Sequence, residues 1–318
     1  MSDLIFANSR AKVHEAALMN AEKFNRMLDS DLADAVKVLS EAGYEDCTVE
    51  NYDDAIRAEE KKLSAFMKEL KLDEPFLNCL MSHNDFHNAK ALMKAKYMRL
   101  ESYSDMLLPE GRISLDTLKD GVMNDDYRFL PESLAEALRS VDEAFATGNR
   151  SPRLIDVTVD RAMFGYFFNV LKDEGAEYYR LKVFFVNLVS FIRCKALNLS
   201  YRFFEEQYID GDGMKNRFLS AYEAGADALA EKVKGSGYSS YVAFALENEI
   251  SVVETYADNK LLNLLKERKN DMFSVYPVAG YYVAKQYELK MVRLILTGLK
   301  NKVDKSVIRQ RLRDTYEQ

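Results

Sequence analysis

Residues that usually staple or punctuate a fold are scarce in this chain. Three cysteines, Cys47, Cys79 and Cys194, stand far apart in 318 residues with no CxxC pair. Neither a disulfide framework nor a thiolate zinc site is expected, and a reducing cytoplasm fits that usage. Only five prolines (Pro75, Pro109, Pro131, Pro152, Pro277) and 13 glycines interrupt it. Between them apolar residues recur every three or four positions, the helical period, so the chain reads as almost wholly α-helical. Long apolar runs are missing too. The most apolar stretch, "VFFVNLVSFIRCKALNL", contains Asn187, Arg193 and Lys195 and cannot supply about 18–20 consecutive apolar residues, so no direct membrane insertion is expected. The opening "MSDLIFANSRAKVHEAALMN" is polar throughout and lacks the apolar centre of a secretory signal.

Sequence signatures of catalysis are also missing. No P-loop, GxGxxG, HExxH or GxSxG occurs, which removes the usual support for phosphate cradling, zinc hydrolysis or a nucleophile elbow; no catalytic residue and no cofactor is expected. Cys79, His83 and His87 in "CLMSHNDFH" share one helix face at i, i+4, i+8. A lone helix rarely closes a zinc site, His14 is remote, and Ser82 and Asp85 read as helix-start residues, so no metal is expected there. "DGDG" (210–213) has Met214 at the fifth position of a would-be calcium loop and no carboxylate at the twelfth; a turn is expected. Glu205–Glu206 and Asp125–Asp126 are sequence neighbours, which points them about 100° apart on a helix rather than across a cleft. Phe164, Tyr166, Phe167 and Phe168 lie beside Met163 and Leu171 at helical spacing and read as core, not as a base-stacking platform.

What the chain does have is an uneven charge distribution. Residues 290–313 hold eight Lys or Arg against one Asp, while the whole chain is −7. These 24 residues therefore carry +7 and the other 294 carry −14. Nucleic-acid binders neutralise phosphates with a broad basic face, so an acidic body argues against that class. With 48 % apolar residues the chain can bury a sizeable core, and its length suggests two or three domains.

It also has internal repetition. "NAKALMKAK" from Asn88, "NLVSFIRCK" from Asn187 and "MVRLILTGLK" from Met291 align, with starts 99 and 104 residues apart. About 30 residues before each start come "EKKLSAFMKEL" from Glu60, "DRAMFGYFFNVL" from Asp160 and "DNKLLNLLKER" from Asp258. Leu63, Met163 and Leu261 align there, then Phe66, Tyr166 and Leu264, then Met67, Phe167 and Leu265, behind an acidic residue suited to a helix start. Turns follow each start: "LPEG" (108–111), "IDGDG" (209–213) and "NKVDK" (301–305). After the last of them Ile308, Leu312 and Tyr316 at i, i+4, i+8 predict an amphipathic helix. Solenoid repeats run about 20–45 residues, so three similar helical domains in tandem are expected: 1–148 with an N-terminal helix, 149–236 and 237–318, divided near "TGNRSP" and "KGSGYSS". Repetition around a pseudo-threefold axis would give a funnel.

The basic residues Lys94, Lys96, Arg193, Lys195, Arg293, Arg309, Arg311 and Arg313 have two readings: intramolecular ion pairs, or an interface with an acidic or carbonyl-rich partner. Arginine suits the second better because its planar fork binds carboxylates bidentately.

In order along the chain, these segments resemble a known family. "FANSRAKVHEAALM", one long helix and "GYED", then "DFHNAKALMKAK" and "LLPEGRIS", and finally "YELKMVRLILTGLKN" and "VIRQRLRDTYE" are similar to the C subunits of archaeal and bacterial V/A-type ATPases, whose counterpart in the eukaryotic V-ATPase is the d subunit. There are departures: Lys12 for a second Arg, Met291 for Asn, Thr297 for a basic residue, and Phe184 where the other copies have Asp85 and Glu288. The resemblance implies a non-catalytic, three-domain helical funnel in the central stalk of a rotary ATPase. It would sit peripherally on the cytoplasmic face of the membrane, coupling the central-shaft subunits to the membrane proteolipid ring during ATP-linked H+ or Na+ transport. The alternative is a soluble α-helical scaffold or adaptor without a membrane motor.

Overall fold

A computed structural model describes residues 2–317. Among them no strand occurs and the regular elements are helices. In chain order these are α1 (Ser2–Glu15), α2 (Ala21–Asp29), α3 (Leu32–Glu41), α4 (Tyr52–Glu69), α5 (Pro75–Met98), α6 (Leu115–Met123), α7 (Glu132–Ala146) and α8 (Pro152–Val170). They continue with α9 (Ala176–Ala196), α10 (Tyr201–Gln207), α11 (Lys215–Ala224), α12 (Ala226–Lys232), α13 (Ser239–Glu247), α14 (Ile250–Lys266), α15 (Tyr276–Lys300) and α16 (Lys305–Arg309). The starts are built locally. Asn20, Asp31, Ser114 and Ser200 accept from the backbone N–H three residues on, which satisfies one of the orphan donors of α2, α3, α6 and α10. Pro152 and Pro277 occupy the first turns of α8 and α15, where the missing N–H costs nothing.

The aligned segments fall on three pairs of consecutive helices: α4 then α5, α8 then α9, and α14 then α15. The long second helices end identically. Arg99, Asn198 and Lys302, each eleven residues beyond the aligned starts, adopt φ of 53°, 52° and 53°. The next residue then donates back to the last helical turn: Leu100 N to Ala95 O, Leu199 N to Cys194 O and Val303 N to Gly298 O, at 2.9–3.0 Å. This is the left-handed helix terminus in which the last carbonyls are capped by the turning chain. Here it is made three times by residues other than glycine.

Chain contacts divide the molecule into two compact units, one formed by Met1–Leu77 together with Glu254–Gln318 and the other by Asn78–Val253. In the first, Phe24, Met27, Leu28, Val36, Leu39 and Ile56 from the N-terminal helices, with Tyr44 from the loop after α3, enclose one face of α15 through Leu289, Val292, Ile295 and Leu296. The second is aromatic. Phe191 meets Phe204, Phe218 and Tyr222, and the Phe204 and Tyr222 rings stack at 4.7 Å. Phe164 and Phe167 of α8 are buried as the spacing predicts, while Tyr166 and Phe168 are half-buried.

Several sequence expectations need correction. Glu60, Asp160 and Asp258 are not helix starts; each lies eight residues after the first residue of its helix, Tyr52, Pro152 or Ile250. Ser82 and Asp85 are likewise buried positions inside α5. The opening segment is followed by the short helices α2 and α3 rather than one long helix. Finally, the helix expected through Ile308, Leu312 and Tyr316 stops at Arg309. The residues after it run as an irregular strap because side chains from α14 and α15 hold their backbone. Met291 Sδ accepts from Arg313 N at 3.2 Å, Asn259 Oδ1 accepts from Asp314 N at 2.9 Å, and Lys266 donates to Thr315 O at 3.1 Å. Ile308 and Tyr316 are buried all the same.

Candidate partner-binding site

The residues that open the aligned segments determine where the chain goes next. Asn88 donates from Nδ2 to Leu108 O (3.0 Å) and accepts at Oδ1 from Leu108 N (2.8 Å). Asn187 holds Ile209 in the same way, at 2.8 and 3.0 Å. An amide side chain has both a donor and an acceptor, so it can replace the ladder partner that an isolated loop residue lacks. In the third copy Met291 retains half of this arrangement through its sulfur contact with Arg313 N.

Three residues earlier the copies diverge. Asp85 accepts from Gly111 N, Arg112 N and Ile113 N at 3.2, 2.8 and 3.2 Å, three dipoles aimed at one carboxylate. A Cβ on Gly111 would collide with Met81 O and this carboxylate, which explains the glycine in "LPEG". With Phe184 at the matching place, the second copy supplies the acid from the loop itself: Asp212 accepts from Met214 N (2.8 Å), Tyr208 Oη (2.5 Å) and Asn187 Nδ2 (2.8 Å). In the third, buried Glu288 turns to the N-terminal segment and accepts from Met19 N at 2.6 Å and Tyr44 Oη at 2.9 Å. Burial and the neighbouring Glu288 carboxylate push the Tyr44 phenol well above its ordinary value.

The interior acids of α4, α8 and α14 are ion-pair partners. Lys90 meets Asp160 at 2.6 Å and Arg293 meets Glu60 at 3.0 Å, so the same position of two different long helices (two residues beyond Asn88 and Met291) binds the matching acid of another helix pair. Asp258 receives both Lys290 (3.0 Å) and Arg313 (2.9 Å). Burial alone would raise the Asp258 carboxyl, but the two cations outweigh it and hold it below the usual carboxylate range. For Asp160 burial wins against Lys90 and the carboxyl is raised.

Most of the basic residues singled out from sequence are engaged within the chain. Lys94 pairs with Asp156 at 2.7 Å. Lys96 pairs with Asp125 and, at 3.2 Å, with Asp142. Lys195 donates to Tyr222 O at 3.0 Å and lies over the Tyr222 ring. Arg309 bonds Asn25 and Asp29, and Arg313, with a side chain 8 % exposed, anchors the strap on Asp258. Arg193 and Arg311 are exposed. Arg311 lies with Lys290 and Arg293 around a groove of 430 Å³ whose apolar lining is Leu294, Val303, Val307 and Ile308. Sequence reading missed Lys90, Lys290 and this groove. Its one available signal was that Val303 and Val307 fall off the apolar stripe of the last segment.

Of the metal candidates, Cys79 is fully buried and its thiol is pushed up to about 12, chiefly by desolvation. The His87 ring donates from Nε2 to Met106 O at 3.0 Å. Among the described residues no group of three or more His, Cys, Asp or Glu is placed to hold a metal ion, and no helix is long and apolar enough to cross a membrane.

Repeated helix pairs, clamped loops and ion pairs that tie one helix to another define a close-packed helical scaffold. Its sequence settles which one: the chain belongs to the ATP synthase (C/AC39) subunit family, which it matches over residues 7–311. It is 23 % identical over 323 residues to the C subunit of the V-type sodium ATPase of Enterococcus hirae, covering 98 % of both chains. It is 22 % identical over 336 residues to the C subunit of the A-type ATP synthase of Thermococcus onnurineus, covering 97 % of this chain and 90 % of that protein. The corresponding C subunit of the A-type ATP synthase of Methanocaldococcus jannaschii is 23 % identical over 330 residues, 92 % of this chain and 82 % of the relative.

Proposed function

We propose that the chain is a non-catalytic adaptor in the central stalk of a V/A-type rotary ATPase, joining the rotating shaft to the membrane proteolipid ring on the cytoplasmic face and so coupling ATP chemistry to H+ or Na+ transport. The observation that carries this reading is the family match over nearly the whole chain. The mechanical requirement agrees with it. An element that passes torque must not absorb it, and packed helices transmit strain where loops yield. Loops here are short or clamped: Asn88, Asp85, Asn187 and Asp212 fix the connections after α5 and α9.

The tandem division 1–148, 149–236 and 237–318 about a pseudo-threefold axis belongs to the same proposal. It is supported by the three equivalent helix ends and by the pairs Lys90–Asp160 and Arg293–Glu60, which link the first helix pair to the second and the third to the first. Basic residues of the three copies then face polar or acidic groups of the shaft, Arg311 and Arg193 from exposed positions, while the turns face the ring. The test is to tag the chain at native expression, extract membranes in mild detergent and identify what co-purifies. Recovery of ATPase head subunits with a proteolipid supports the adaptor role. Recovery of the chain alone, or with soluble proteins only, replaces it with the scaffold alternative.

A further inference from the structure

The groove beside α16 is built by a close helix crossing. Gly298 has no side chain, and a Cβ there would run into the Ile308 side chain, so α16 comes down directly onto α15. The left-handed turn at Lys302 folds the chain back, and Val303 N bonds Gly298 O. That fold-back leaves Val303 and Val307, each 41 % exposed, along one side of the cleft. The other side is a stripe of α15 and its C-cap: Lys290, Arg293, Leu294, Thr297 and Gly298, then Asn301. These follow the i, i+3, i+4, i+7, i+8, i+11 spacing, a ridge about 16 Å long at the helical rise, long enough for roughly three turns of an opposing helix.

The rim is cationic and, among the described residues, the lining contains no carboxylate. Lys290 and Arg293 are bound to Asp258 and Glu60, yet their side chains remain 53 % and 41 % exposed. Arg311 is exposed and lines the groove; its carbonyl accepts from Arg313 Nη1, and its guanidinium makes no ion pair among the described residues. An apolar floor under a positive rim, in an otherwise acidic chain, selects its occupant by charge. A basic or neutral helix would leave the rim cations unanswered, whereas an acidic amphipathic helix answers both features.

We propose that this groove is the docking site for an acidic amphipathic helix of a partner subunit, its apolar side chains on Val303, Val307 and Leu294 and its carboxylates on Arg311, Lys290 and Arg293. This deepens the adaptor reading, since it specifies the chemistry of the partner segment that the basic C-terminal region receives. Its truth is separable from that reading because the groove can be probed without the motor.

The probe is a fluorescein-labelled peptide of about 16 residues with Leu at i, i+4, i+7, i+11 and Glu on both flanks, titrated into the full chain by fluorescence anisotropy. Two control peptides are a scramble of equal composition and a version with Lys in place of Glu. The expected result is saturable binding of the acidic stripe alone, weakened at least about tenfold by Arg311→Glu with Val307→Asp and by about 0.5 M salt. Neither side chain holds the fold, so the doubly substituted chain should keep its circular dichroism; should it not, Val303→Asp alone serves. Equal binding of the scramble, or binding unchanged by these substitutions, overturns the proposal. Loss of peptide binding with full recovery of the motor complex leaves the adaptor role standing and removes the groove from its shaft contact. Peptide binding in a chain that recovers no motor components keeps the groove and ends the adaptor role.

Discussion

Asn88 and Asn187 each commit both ends of one amide to a single loop residue, and this is where point substitutions should cost most. Leucine at position 88 fills a similar volume but leaves the half-buried Leu108 N–H and C=O without their side-chain partner, which costs about 1–3 kcal/mol. Chemical denaturation of Asn88→Leu should show that loss, with Asn187→Leu close to it. Asp258 gives a pH signature. Its carboxyl is lowered in the folded chain, so its contribution is fully present above the ordinary carboxylate value and is lost as pH falls through the lowered one. The melting temperature of the wild type should therefore fall on acidification below about pH 4, and Asp258→Asn should be less stable at pH 7 and flatter across that window. Thiol chemistry offers an independent check of burial. Cys47 is partly exposed, whereas Cys79 and Cys194 are buried; desolvation raises all three thiols, so access decides which reacts first. A disulfide reagent at pH 8 should modify Cys47 in the native protein and reach the other two only after unfolding.

Helices were legible from sequence wherever one apolar face repeats, as in α4, α8 and α15, because burial against a neighbour demands that period. The alignment from Asn88, Asn187 and Met291 was legible for the same reason, and it lands on equivalent helix ends. The residues that make those ends were not, since Arg99, Asn198 and Lys302 carry no glycine signal. Nor was the strap. Ile308, Leu312 and Tyr316 keep a helical spacing, but Asn259 and Lys266, about 50 residues away, capture the backbone after Arg311. The basic residues were found, yet their partners were invisible because pairs such as Arg293 with Glu60 lie 233 positions apart. At this scale Gly280 is decisive. A Cβ there would overlap the ring of buried Tyr316, so Gly280→Ala should expel the strap at a cost of about 1–3 kcal/mol. Hydrogen exchange should show faster amides at 313–316 while the core of α15 stays protected.

Charge is arranged over the whole molecule so that the basic C-terminal region is only partly available to a partner. Arg313 is buried against Asp258 and serves the fold, while Arg311 two residues earlier faces solvent. Arg313→Glu should therefore destabilise by about 3 kcal/mol or more, since it buries two like charges together. Arg311→Glu should fall within about 0.5 kcal/mol of wild type. The melting temperatures of the two variants decide this directly. A partner-binding defect seen only with Arg311 substituted would then be a surface effect and not a folding one.

The first unit joins residues up to Leu77 to residues from Glu254 onward, and its core sets Phe24, Leu28 and Ile56 against Leu289, Val292 and Ile295. Those partners emerge from the ribosome in reverse convenience. The N-terminal helices appear first, and the face they need is made last. At about 5–20 residues per second the wait is on the order of 10–50 s, during which a strongly apolar segment has nothing of its own to cover it. A chain released after residue 253 stays in that state permanently, and residues 19–56 of it should be cut rapidly by a protease that leaves them intact in the full-length protein.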